Sequence, residues 1–196
     1  MRQAPPVREL LSAQEMALLR RRSDAHGLWL VAHAWGVIAL AMAGFVLWPN
    51  PLSFLLAVLM IGSRQLGLLI LMHDAAHNAL AARPALNRFL GQVLCAWPMI
   101  ADLHEYRRYH LRHHACTQQP GDPDAVLTDH YPITRASLKR KLLRDITGRS
   151  GLAQRAEQFR RALGSGTPRR RLGNLRRRLG PQLAVNAALF ALLAAC

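Results

Sequence analysis

The chain has 196 residues, enough for one medium domain, and a formal net charge of +15 at pH 7. That charge raises a nucleic-acid partner, but aromatic residues make up only 6% and no helix-turn-helix, zinc-finger or RNA-binding signature is present, so that class is set aside. Cys95, Cys116 and Cys196 form no CxxC pair and no even framework, which argues against a disulfide scaffold or a cysteine-based zinc site. All three read as buried small hydrophobes.

Apolar residues, 51% of the chain, gather in blocks with Lys and Arg between them. Met1-Arg-Gln-Ala-Pro-Pro is not a secretory start, so the first apolar block is expected to be retained as a span. Residues 1–27 are expected to be a cytoplasmic segment, amphipathic and helical over 5–25, with Ser12-Ala-Gln-Glu15 as a capping box and Arg20 to Arg22 near its end. Residues 28–72 predict a transmembrane hairpin. Leu28 to Trp48 and Leu52 to Met72 each match the roughly 20 residues that cross a bilayer. Pro49-Asn50-Pro51 is the turn. His33 inside the first run is read as a neutral, hydrogen-bonded packing group. Arg64, in the second, should face the bundle interior, as a contact to a substrate headgroup or to a metal ligand or as an interhelical hydrogen bond.

Residues 73–180 are expected to be a cytoplasmic region. Within it, 85–101 reads as a re-entrant or interfacial helix. Residues 102–180 hold 18 of the 26 Lys and Arg residues, with breaks expected at Gly164-Ser-Gly166 and Thr167-Pro168. The clusters Arg169 to Arg171 and Arg176 to Arg178 suit an anionic membrane surface. Residues 181–196 are expected to be the start of a further transmembrane helix, which makes the chain look C-terminally truncated. Basic flanks outside the hairpin, against an uncharged turn, place the flanks in the cytoplasm. The fold class expected is all-α, an integral membrane helical bundle.

Two histidine clusters carry the chemistry. His73-Asp-Ala-Ala-His77 ends the hairpin, and His110-Leu-Arg-His113-His114 follows in the polar region. Imidazoles at i and i+4, or at i, i+3 and i+4, share one helix face. His73, His77, His110, His113 and His114 are therefore the expected metal ligands. Imidazole suits zinc, copper, iron and nickel alike, but five histidines exceed what a closed zinc site needs, and a site this rich in imidazole can hold two metals. Were they iron, open positions would remain for dioxygen. Asp74, Asp102 and Glu105 are candidate acceptors for the imidazole N–H groups. His104 lies off the helical face and is a weaker ligand candidate.

Arg64 to His77 after the hairpin, Tyr106 to Thr117, and Pro120-Gly-Asp-Pro-Asp124 together resemble the membrane fatty acid desaturase and hydroxylase superfamily, its bacterial desaturase-like members in particular. The resemblance covers about residues 28–150. It implies a non-haem di-iron centre, with two Fe and O2 as co-substrate, that desaturates a lipid acyl chain. Electrons would come from a ferredoxin or cytochrome b5-type donor. It also implies a bacterial cytoplasmic membrane with the histidine boxes facing the cytoplasm. The third histidine box of that superfamily is missing here. Two alternatives stay open: a hydroxylase or ketolase of the same superfamily, and a truncated, inactive membrane protein.

Overall fold

The computed structural model describes residues 10–194, so residues 5–9 of the expected amphipathic segment, together with Cys196, lie outside the described residues. The chain divides into two compact units, Met1–Leu103 and His104–Cys196. Among the described residues there is no strand.

In the first unit, α1 (Ala13–Leu19) opens on the Ser12–Glu15 capping box: Ser12 Oγ accepts from the Glu15 amide, and the Ser12 amide donates to Glu15 at 2.8 Å. The helix expected over 5–25 is divided in two. α1 stops at Leu19, and Ser23 caps the next helix by accepting the His26 amide at 3.2 Å. That helix, α2 (Asp24–Leu47), therefore begins four residues before the apolar run. Asn50 starts α3 (Pro51–Ala76), its Oδ1 accepting from the amides of Leu52 and Ser53, both at 3.0 Å. Pro51 at the first helical position lacks an amide that would otherwise go unsatisfied.

At 1.5 Å per residue, α2 and α3 are about 36 and 39 Å long, enough for a hydrocarbon layer of about 30 Å. The apolar stretches within Ala13–Leu47 and Pro51–Ala76 are both long and apolar enough to cross a membrane. α2 packs on α3, and its buried residues Gly27, Val31, Ala34, Ile38 and Ala41, spaced by three and four, trace one face. Most other large side chains of the pair are exposed, Leu40 and Leu59 among them, which in water would be costly and in lipid is not.

Further helical turns complete the first unit: α4 (Pro84–Phe89), a π-helical stretch Leu90–Ala96, and a 3-10 turn Trp97–Met99, ended by Ile100 at φ 54°. Pro98 has no N–H for the Leu94 carbonyl four residues earlier. Trp35 Nε1 of α2 donates to that carbonyl at 3.0 Å and so ties these turns to the hairpin. Gly91 lets the π stretch lie against α3, since a Cβ there would overlap Ala75.

α5 (Leu103–Ala115) starts where Gln92 Oε1 accepts the Leu103 amide at 2.9 Å. The second unit continues with α6 (Ala125–Thr128), α7 (Arg135–Ile146), α8 (Arg149–Leu163) and α9 (Pro168–Ala194). The break between α8 and α9 falls at 164–167, at the Gly and Pro residues. The basic clusters and the apolar run after them form one helix, α9, with Pro181 inside it. Arg178 Nη1 donates to the Arg161 carbonyl at 2.8 Å and Asn174 Nδ2 to the Leu163 carbonyl at 3.1 Å, so part of the basic cluster satisfies the end of α8. Cys95 and Cys116 are free thiols, the first buried and the second half-buried.

Candidate metal centre

α3 runs past the apolar block, so His73 lies in its last turn and His77 is its C-cap. Their rings meet edge to face, centroids 4.8 Å apart, as the i, i+4 spacing requires. His73 Nδ1 lies 3.1 Å from Asp74 Oδ1. That contact engages Nδ1 and leaves Nε2 as the atom for a metal.

The turn after His77 is fastened by a buried side chain that sequence reasoning did not single out. Asn87 has no solvent exposure. Its Oδ1 accepts from the Leu80 amide at 3.1 Å and the Ala81 amide at 3.3 Å, and its Nδ2 donates to the Ala75 carbonyl at 2.9 Å. One amide group thus joins the turn to the last turn of α3, between the two histidines. Gly27 of α2 lies under the same turn, where a Cβ would collide with the Leu80 carbonyl oxygen. Arg83, just beyond, donates its amide and its Nε to Asp24 at 2.9 and 2.6 Å.

The second histidine cluster occupies the last turns of α5. His110 and His114 bring their Nε2 atoms to 2.9 Å, with ring planes at 89°. In the metal-free chain this contact is a hydrogen bond in which one Nε2–H donates to the other Nε2. Tyr106 stacks on His110, centroids 5.1 Å apart and planes 11° from parallel.

His113 is turned toward the loop that follows α5. Its Nδ1 lies 2.7 Å from Asp122 Oδ1 and 3.4 Å from Asp124 Oδ2. The Gln118 amide donates to Asp122 Oδ2 and the Asp124 amide to Asp122 Oδ1, each at 2.8 Å, so the carboxylate is fixed before it meets the ring. Tyr109, one turn earlier, donates its hydroxyl to the Asp124 carboxylate and to the Pro123 carbonyl. Two helix positions therefore pin one loop. The hydrogen bond to His113 holds the Asp122 carboxyl down to about 2, and the same bond raises the His113 pKa. The bond to Asp124 pushes Tyr109 up to about 12. His113, Asp122 and Asp124 each offer a ligand atom within 4.8 Å of the others.

The remaining expected residues are placed as follows. Asp102 accepts from Gln92 Nε2 at 3.1 Å. Glu105 and His104 are exposed in the first turn of α5. Arg64 is half-buried, with Nε 3.4 Å from Ser63 Oγ. His33, read as a packing group, is exposed on α2 beside Trp29, centroids 5.9 Å apart. Asp122 escaped sequence reasoning because it lies nine residues from His113, outside any helical period. The Pro-Gly-Asp-Pro-Asp turn following a histidine-rich helix was the available signal.

The donor set fits a transition metal of intermediate softness such as iron. Imidazole rings are paired at i, i+4 in each cluster, and carboxylates lie on Nδ1 of His73 and His113. An all-helical chain with two bilayer-length apolar helices among the described residues has the architecture of a helical membrane bundle. The fatty acid desaturase family matches residues 48–196, and the chain belongs to that family. It is 37% identical over 109 residues to dihydrorhizobitoxine desaturase of Bradyrhizobium elkanii. That alignment covers 53% of this chain and 30% of the relative, so the chain spans under a third of the relative's length. No solved structure matches the chain.

Proposed function

We propose that the chain is a membrane desaturase in which His73, His77, His110, His113 and His114 hold a non-haem di-iron centre for O2-dependent desaturation of a lipid acyl chain. The observation that carries this reading is the paired geometry repeated in both clusters, with ring contacts of 4.8 Å in the first and 4.4 Å in the second. The lipid substrate rests on the family's name and on the apolar helices, since the relative is named for dihydrorhizobitoxine.

Iron held there supplies the reduction of dioxygen. Two hydrogens leave neighbouring acyl carbons, and with two electrons and two protons from the donor side, dioxygen becomes two waters. The chain's own residues orient and exclude. Asp74 and Asp122 set the tautomers of His73 and His113, and Asn87 holds the end of α3. The apolar helices present an acyl chain with water excluded. A ferredoxin or cytochrome b5-type protein is the electron donor. The basic flanks of the hairpin support a cytoplasmic position for the histidine clusters, in a bacterial cytoplasmic membrane.

The test is the lipid profile of a bacterial host that makes the protein with a matching electron donor. A new unsaturated acyl chain, lost in His110→Ala and in His73→Ala while the protein still reaches the membrane, is the expected result. A profile unchanged by expression, or a new product that survives both substitutions, contradicts it.

A further inference from the structure

Helix α7 carries an apolar stripe that faces outward. Leu138, Leu142, Leu143 and Ile146 are 44%, 50%, 63% and 83% exposed. Positions 138, 142 and 146 lie one helical turn apart, with 143 beside them, so they form one face. Arg135 and Lys139 fall within that same sector of the helix, and Arg140, Lys141 and Arg144 occupy the rest of its circumference. The sole acid of the helix, Asp145, is occupied by Lys141 at 2.7 Å. Thr134 caps the helix by accepting the Ser137 amide at 3.2 Å, so the stripe sits on a formed helix rather than on a frayed one.

An exposed apolar face is costly in water, and the cations within and around its sector select what relieves that cost. Phosphate headgroups supply the negative charge and acyl chains the apolar medium, in one layer and in the order in which the helix displays their complements. We propose that α7 is an in-plane anchor in an anionic leaflet, with Leu138, Leu142, Leu143 and Ile146 in the acyl boundary and Arg140, Lys139 and Arg144 at lipid phosphates. This does not rest on the desaturase reading. It assigns a lipid contact to a segment that carries neither histidine cluster and neither bilayer-length helix.

The experiment uses the full chain in nanodiscs of phosphatidylcholine alone or mixed equally with phosphatidylglycerol. Ile146→Trp adds an indole whose quenching by acyl-brominated lipid is read as the difference from the parent, which has Trp29, Trp35, Trp48 and Trp97. The added indole is expected to be quenched in the anionic discs and much less in the neutral ones. Exchanging Lys139, Arg140 and Arg144 for Gln should weaken the association by about fivefold per cation removed. In the parent, backbone amides 136–147 should exchange more slowly in the anionic discs, a readout that requires no new side chain. Equal quenching and equal exchange in the two lipids would overturn the proposal. So would protection that follows protein concentration rather than lipid charge, since a second protein surface would then cover the stripe.

Discussion

The Asp122 carboxylate sits 2.7 Å from His113 Nδ1, with its two oxygens already accepting the Gln118 and Asp124 amides. A carboxylate fixed in this way does two things to the ring. It sets the tautomer, with Nδ1 protonated and Nε2 the donor atom, and it makes that donor more basic. Asp122→Ala should therefore lower metal affinity on the order of ten- to a hundredfold while leaving the helix content of the chain unchanged. Titration with Co(II), followed by its ligand-field absorption, checks this. Affinity equal to the parent's would remove Asp122 from the positioning role.

The same pair sets a pH dependence for the metal-free chain. His113 is raised above its ordinary 6.5, so its contribution to stability is complete below that value and is lost as pH rises through the folded-state value. Asp122 is depressed from 3.8 to about 2, so its contribution is complete above 3.8 and is lost as pH falls toward 2. The pair stabilises most between the two ordinary values. Urea midpoints of the parent should exceed those of Asp122→Asn most in that window, with the gap closing on either side.

Asn87→Ala leaves the amides of Leu80 and Ala81 without their acceptor in a site closed to water, while the Ala75 carbonyl keeps the Asn78 amide at 2.9 Å. The expected loss is about 3 kcal/mol of stability, with faster hydrogen exchange at amides 80 and 81. Asn87→Asp keeps the acceptor for the two amides but turns the donor to Ala75 into a second acceptor, and should also destabilise. Denaturation in detergent measures both; parent-like stability in either variant contradicts the clamp.

Glycines separate close approach from open space. Gly91→Ala and Gly27→Ala should each destabilise the first unit, because the new methyl meets Ala75 in one case and the Leu80 carbonyl in the other. Gly36 and Gly62 have nothing within 4 Å, and alanine there should be neutral or stabilising by about 0.5–1 kcal/mol. Thermal midpoints of the four variants provide the comparison.

What could be read from the sequence follows from the range of the interactions. The two long helices, the Pro-Asn-Pro turn, the Ser12 capping box and the pairing of His73 with His77 and of His110 with His114 all depend on neighbours within four residues, where periodicity is a direct guide. The division of the N-terminal helix at Arg20 was missed because Ser23 competes as a second N-cap only a few residues downstream. The π-helical stretch was not legible: Trp35, 59 residues away, donates to the carbonyl that Pro98 leaves open, a contact no local pattern signals. Asn87 read as an ordinary polar residue at the start of a helix; its role appears only when the turn folds back over it. Asp122 was hidden for the same reason.

Iron content per chain tests the central claim most directly. Purified, iron-reconstituted parent should hold close to two irons. The two pair variants, His73→Ala with His77→Ala and His110→Ala with His114→Ala, should each lose most of that iron while keeping the parent's helix signal. A parent that takes up no iron, or a pair variant that keeps the parent's full content, would contradict the reading that His73, His77, His110 and His114 are iron ligands.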